Sequence, residues 1–220
     1  MITLLHGDNL VPSRNQLKEQ ISAAKDKGIE IIRLTGQELT SEALIQALES
    51  PSLFAGQKTV VVEGLLSLRP SKLKDILVEL MATHPEQQLI LWEPKSVTAT
   101  NIKKLKTAKV QEFKIAPMVF KFLDTLTLTA FHLALKQEPA ELIFYFLHRR
   151  LSQLIQAKDG DQFLKGAPWQ IGKIKAQASK YSLEQLIGLQ EKLLQIDYRI
   201  KSGQDDLPLS SQLDLVLVNF

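Results

Sequence analysis

The chain opens on a pattern that could hold phosphate. A short apolar run, residues 2–5, meets the turn His6-Gly7-Asp8-Asn9-Leu10-Val11-Pro12-Ser13, and an amphipathic stretch follows. Strand, glycine turn and helix is the order in which backbone N–H groups cradle an anion. The details point the other way. The turn has one glycine, no Gly-Lys-Ser/Thr and no lysine for the outer phosphates. Asp8 brings negative charge where donors are needed. The third strand ends Val62-Glu63-Gly64, without the Asp-Glu pair that would hold Mg²⁺ and polarise water. The expectation is a chain that does not hydrolyse ATP.

Other chemistry is equally sparse. His6, His84, His132 and His148 show no metal-ligand spacing, and His148 reads as a surface or packed helix residue. No Gly-x-Ser-x-Gly elbow occurs. Asp205-Asp206 follow Gly203 and read as a solvated turn. No catalytic residue, metal or cofactor is expected. Basic residues gather over residues 95–121. Lys103, Lys104, Lys106 and Lys109 are candidate DNA or phosphate contacts, and a solvated helix face explains the same run. Arg149-Arg150 fit either a subunit interface or an ordinary polar face.

The strongest binding signal is apolar. Leu53-Phe54 sit in Glu49-Ser50-Pro51-Ser52-Leu53-Phe54-Ala55-Gly56-Gln57. Pro51 breaks the preceding helix and Gly56 permits a turn, so the pair falls on a connection. Connections lie on the surface. A large apolar pair there is either tucked back as a plug or offered to a partner.

The elements that must position these residues alternate through the first half. Strands are expected at residues 2–5, 30–34, 59–62, 88–92 and 110–113. Helices are expected from Ser13, with Gln16 completing a capping box, to about Lys25, and over residues 41–48, 71–81 and 98–105. Thr40 or Ser41 would cap the second helix. Leu73, Ile76, Leu77 and Leu80 carry helical spacing in the third. The alternation predicts an α/β domain with a mostly parallel sheet. The strand signal stops near residue 117, without a flexible linker. Residues 118–135 are apolar, with Phe120, Phe122 and Leu123 near the start. Pro139 is placed as the first residue of a helix. Trp169, Ile171 and Ile174 mark another, Ser182 opens a long one stopped at Gly203, and residues 213–218 form the last. Leu142, Phe146, Leu186 and Leu193 are expected core. The reading is an all-α bundle of four or five helices over 117–220, after an α/β domain over 1–116.

Composition bounds the class. The 220 residues are 45% hydrophobic and 23% charged, enough for a real core. No cysteine is present, which excludes disulfides and thiolate chemistry and suits a reducing cytoplasm. A net charge of +3 and a pI of about 9.0 permit nucleic-acid contact without requiring it. The first residues are too short an apolar run for a signal peptide, and no run is long enough to span a membrane.

Three stretches resemble a known family. Pro51-Ser52-Leu53-Phe54-Ala55-Gly56-Gln57-Lys58-Thr59-Val60-Val61-Val62 is similar to the clamp-binding element of the delta subunit of bacterial DNA polymerase III, where a Ser-Leu-Phe-type wedge precedes an apolar strand. Residues 120–158, with Arg149-Arg150, resemble the start of its C-terminal helical domain. Ile174-Lys175-Ala176-Gln177-Ala178-Ser179-Lys180-Tyr181-Ser182, and then Asp197-Tyr198-Arg199-Ile200-Lys201-Ser202-Gly203, look like its closing pattern. The His6-Gly7-Asp8 turn is similar to the family's degenerate P-loop position. Two departures stand out. Family members carry a helical lid before the terminal bundle, whereas Phe113-Lys114-Ile115-Ala116-Pro117 runs almost directly into it. Glu49 stands where the family often has Gln.

The resemblance implies a degenerate AAA+-like α/β domain followed by a helical collar-like domain. It implies a clamp-loader subunit, itself without ATPase activity, that binds and opens the sliding clamp during DNA replication. Ser52, Leu53 and Phe54 would bind the clamp, which is the beta subunit. Gamma/tau and delta prime subunits would be partners in a hetero-oligomer, with DNA within the complex and no membrane. The chain would belong to a DNA-directed DNA polymerase complex, a nucleotidyltransferase, in the cytoplasm. A lapsed nucleotide-binding α/β enzyme and a basic nucleic-acid-binding protein are the alternatives.

Overall fold

The structure, a computed structural model, describes residues 1–52, 56–84, 86–106, 108–160, 164–204, 207–218 and 220. It divides into two compact units, Met1–Ile115 and Ala116–Phe220.

The first unit is α/β. Its strands are β1 (Ile2–His6), β2 (Glu30–Thr35), β3 (Lys58–Glu63), β4 (Gln88–Glu93) and β5 (Lys109–Glu112). They form one five-stranded sheet in the order β2-β3-β4-β1-β5, with every pairing parallel. Helices α1 (Leu10–Asp26), α2 (Ser41–Glu49), α3 (Lys72–Ala82) and α4 (Ala99–Lys104) make the crossovers.

Strand alternation sends side chains to two cores. Leu4, Val60, Val62, Leu89 and Leu91 meet α2 and α3 on one face, through Leu44, Leu48, Leu77 and Met81. Leu5, Val61, Ile90 and Trp92 meet Leu17 and Ile21 of α1 on the other. Central strands buried on both faces account for the unbroken apolar runs. At the edge, β5 is exposed at all four positions.

Local chemistry differs from expectation at α1. Ser13 is not its cap. The helix begins at Leu10 after Asn9, and Pro12 fits the first turn because an N–H there has no intrahelical acceptor. Ser13 is fully buried and accepts a 3.0 Å hydrogen bond from Trp92 Nε1. In α3, Leu77 is buried while Leu73 and Ile76 are exposed. Thr40 and Ser71 cap α2 and α3 through their hydroxyls.

The second unit is all-helical: α5 (Pro117–Thr125), α6 (Leu128–Leu135), α7 (Ala140–Asp159), α8 (Pro168–Ala178), α9 (Leu183–Ser202) and α10 (Leu209–Val218). The described residues of this unit thus hold six helices, not four or five. The apolar run after Pro117 breaks at Leu126, whose φ of 53° no helix continues. The break lets Phe122 and Phe131 pack at 5.3 Å between ring centroids. Pro139 is the N-cap residue of α7 rather than its first helical residue.

The inward face of α7 is Ile143, Phe144, Leu147, Leu151 and Leu154. Leu142 and Phe146 are only half-buried. Leu186 and Leu193 of α9 are core. Ser182 caps α9 with a reciprocal Gln185 contact, and Gly203 ends it in the left-handed region.

Candidate functional site

Two ends of the sheet carry the candidate chemistry. At the C-terminal ends, where open parallel sheets hold ligands, β1 passes into α1 through Gly7-Asp8-Asn9. Gly7 has φ of 136°, and a Cβ there would lie 2.1 Å from the Phe113 carbonyl oxygen. That carbonyl accepts from Asn9 N–H at 3.0 Å, and Phe113 N–H donates to His6 O at 2.7 Å. Backbone therefore packs against the turn where a phosphate cradle would open. Pro12 removes a further donor from the start of α1.

His6 is buried, and its Nδ1 accepts from Val97 N–H at 3.2 Å. Its Nε2 is buried with no hydrogen-bond partner among the described residues. Burial holds its pKa below the ordinary histidine value, with Glu112 opposing and Lys114 adding to the shift.

Beside it, buried Glu93 accepts from Leu66 N–H at 2.6 Å, Ser67 N–H at 2.8 Å and Ser67 Oγ at 2.6 Å. Burial raises the Glu93 pKa, against those hydrogen bonds and nearby Lys74. Lys74 Nζ donates to the carbonyls of Leu66 and Leu68 at 2.5 and 2.8 Å. Arg14 lies over the Trp92 ring at 3.4 Å and pairs with Glu63. These charges hold the loop after β3 and the start of α1. Sequence patterns did not single out Glu93 or Arg14, because their partners are distant in the chain, nor Lys74, whose partners are backbone carbonyls 8 and 6 residues away. Among the described residues, no cluster of three or more His, Asp or Glu could hold a metal ion.

The connection from α2 to β3 lies at the opposite, N-terminal ends of the strands. Leu53 and Phe54 lie outside the described residues, as do Asp205 and Asp206. The flanks of the pair are described. Lys58, itself buried, donates from Nζ to the Ser50 carbonyl. Ser52 Oγ donates to Glu30 Oε2 at 2.7 Å. Glu30 N–H donates to Gln57 O at 3.1 Å. The two sides of the connection are thus tied to each other and to β2. A cleft of about 540 Å³ opens here, lined by Met1, Ser52, Gln57 and Gln88 among others. Glu49 is exposed at the end of α2, with Oε1 3.5 Å from His84 Nε2.

The four candidate lysines do not form one cluster of free charge. Lys104 pairs with Asp75 at 2.6 Å. Lys103 is exposed on α4, Lys106 is exposed after it with φ of 47°, and Lys109 is exposed on β5. Lys114, in the same basic run, pairs with Glu112 at 2.9 Å. In the helical unit, Arg150 is spent internally on Asp124 at 3.2 Å and Gln177 at 3.1 Å. Gln177 in turn donates to Leu123 O at 2.7 Å. The network ties α5, α7 and α8 together, so Arg150 has a local structural task, and Arg149 remains exposed.

No protein-family model and no curated protein matches the chain. Among solved structures, it is similar to the Bacillus subtilis DNA clamp loader delta protein (YqeN), with a TM-score of 0.48 and 16% identity over 99% of this chain and 94% of that one. It is also similar to domain III of the Thermotoga maritima replication initiation protein DnaA, with a TM-score of 0.38 and 11% identity over 100% of this chain and 84% of that one. Among the described residues, no helix is long and apolar enough to cross a membrane.

Proposed function

We propose that this chain is a delta-like clamp-loader subunit that binds a ring-shaped sliding clamp and favours its open form. The observation that carries the reading is the apolar pair Leu53-Phe54 on the connection between α2 and β3. Its described flanks are tied down at Ser50, Ser52 and Gln57. A connection fixed at its base would present an anchor at low entropic cost, as good docking elements do. The connection also lies away from the strand ends where small ligands bind.

The energy of opening enters as differential affinity. An anchor that fits an open ring better than a closed one shifts the ring by the difference in binding free energy. ATP binding and hydrolysis belong to sibling subunits in this scheme. The closed turn at Gly7 and the absence of a Gly-Lys-Ser/Thr sequence support that division. Lys103, Lys106 and Lys109 are available for DNA within the assembled loader, and the helical unit is assigned to association with the siblings.

The test is direct binding of the purified chain to an immobilised sliding clamp from the same source. Saturable one-to-one binding is expected. Absence of binding at clamp-loader concentrations, with the chain folded, would overturn the assignment.

A further inference from the structure

Strand β5 ends the sheet order, with β1 on one side of it and no described strand on the other. Phe113 N–H donates to His6 O, so the alternate residues Lys109 and Gln111 turn their backbone groups toward β1. Val110 and Glu112 therefore direct theirs to the open side, where no hydrogen bond among the described residues satisfies them. A groove of about 460 Å³ runs beside this edge, on the face that packs against α1. Lys109 and Gln111 form part of its floor, and Gln16, Gln20 and Lys27, at helical spacing on α1, form its wall. No carboxylate lines it. Lys27 and Lys109 are exposed and make no ion pair among the described residues. On the other face of β5, Val110 is 40% exposed.

We infer that β5 and this groove dock an extended acidic segment of a partner protein, which adds to the sheet as a further strand. The outward N–H and C=O groups of Val110 and Glu112 need an acceptor and a donor, and a strand brings both. Side chains of an added strand alternate between the two faces. Those on the face of Lys109 and Gln111 enter the groove, where carboxylates meet Lys27, Lys109 and the amide N–H groups of Gln16 and Gln20. Those on the other face lie beside Val110 and Glu112, where a β-branched apolar group fits and a carboxylate is repelled. The partner segment is thus acidic at every second position and apolar between. The phosphodiester chain of DNA accepts hydrogen bonds but donates none to the edge carbonyls, and Glu112 repels it. The site is independent of Leu53-Phe54 and needs no clamp.

The full chain is titrated with a labelled peptide of about six residues that alternates Glu and Val, read by fluorescence anisotropy. Saturable binding is expected. A peptide of the same composition with its glutamates in one block cannot place them all on one face, and should bind about fivefold more weakly. Lys27→Glu with Lys109→Glu should weaken the alternating peptide about tenfold, since two exposed attractions become repulsions. Val110→Pro removes an outward N–H that the sheet does not use, a change an edge strand tolerates. It should keep the circular dichroism of wild type and weaken the peptide about fivefold, one hydrogen bond's worth. The alternating peptide N-methylated at every amide tests the edge on the unaltered chain and should not bind. The inference is overturned if the alternating peptide does not saturate, or if the block or N-methylated peptide binds as tightly. It is equally overturned if the double lysine reversal leaves the affinity unchanged, or if oligo-dT displaces the peptide with higher affinity.

Discussion

Ser52 Oγ donates to Glu30 Oε2 at 2.7 Å, joining the residue before Leu53 to the first residue of β2. The bond bridges two stretches 22 residues apart in the chain. Lys58 reaches back to the Ser50 carbonyl from the other side. The connection is thus anchored at its base by side chains whose own strands are locked in the sheet.

Leu53→Ala combined with Phe54→Ala should weaken clamp binding by roughly thirtyfold or more, about 2 kcal/mol, as for truncated interface anchors. The melting temperature should stay within about 2 °C of wild type. A plug would behave in the opposite way. It would cost several kcal/mol of stability, and affinity per folded molecule would not change. Thermal melts and clamp titrations on the same double variant separate the two.

Mg-ATP should give no one-site isotherm with the isolated chain at millimolar nucleotide. The turn lacks the lysine and the glycines of a phosphate cradle, and the Phe113 backbone packs against it. A clear single-site titration would refute this reading of the turn.

Gly7→Ala should cost well over about 1 kcal/mol of folding stability, because alanine disfavours positive φ. The added Cβ would also lie 2.1 Å from the Phe113 oxygen, with φ at 136°. Urea unfolding measures it. Gly28, whose added Cβ would meet nothing within 4 Å, is the control. Its φ of 71° leaves backbone strain alone, so Gly28→Ala should cost less.

Stability should fall as pH drops below about 6.5, the ordinary histidine value. Burial lowers the pKa of His6, and burial likewise lowers that of His148. Between the lowered folded values and 6.5, the unfolded chain binds more protons. Stability from these groups is therefore complete above 6.5 and is lost on acidification. Protonating His6 would also cost the bond from Val97 N–H to Nδ1. His6→Gln should flatten the pH dependence of the urea midpoint between pH 7 and 5 by up to one proton's worth, leaving the His148 share. An unchanged slope would exclude His6 as a contributor.

A chain ending at Ile115 should keep clamp affinity and lose association with sibling loader subunits, by the proposed division of labour. Each unit has its own buried core, so both halves can be followed by circular dichroism. Retained assembly of the shortened chain, measured by size-exclusion chromatography with the siblings, would refute the assignment of association to the helical unit.

Much of the element order was legible in the chain. The runs at β1, β3 and β4 are continuous because these strands are covered on both faces, and such runs stand out without any partner in view. The ends of α9 were readable at Ser182 and Gly203, since a cap acts within a few residues of itself. The parallel sheet followed from strands alternating with helices. The start of α1 was not readable, because Ser13 has the composition of a cap and its hydroxyl instead serves Trp92, 79 residues away. Which apolar residues of α7 are fully buried was also hidden. Helices α5, α6, α8, α9 and α10 all pack against it, so its apolar arc is wide and the spacing alone does not choose Ile143 over Leu142.

The candidate sites divide in the same way. By itself the sequence determined that the first turn lacks the residue types of a phosphate cradle and that an apolar pair falls between two element patterns, because both depend on residue types within a few positions. Only the tertiary structure decided what those neighbourhoods contact. It brings the Phe113 backbone against Gly7, Glu30 to Ser52, Asp75 to Lys104, and Lys27 to the same groove as Lys109. Hydrogen bonds, ion pairs and clefts form between groups close in space, and chain separation sets no limit on that. Composition and periodicity record local preference, whereas the pairing of distant charges and rings is settled when the sheet and the helices pack.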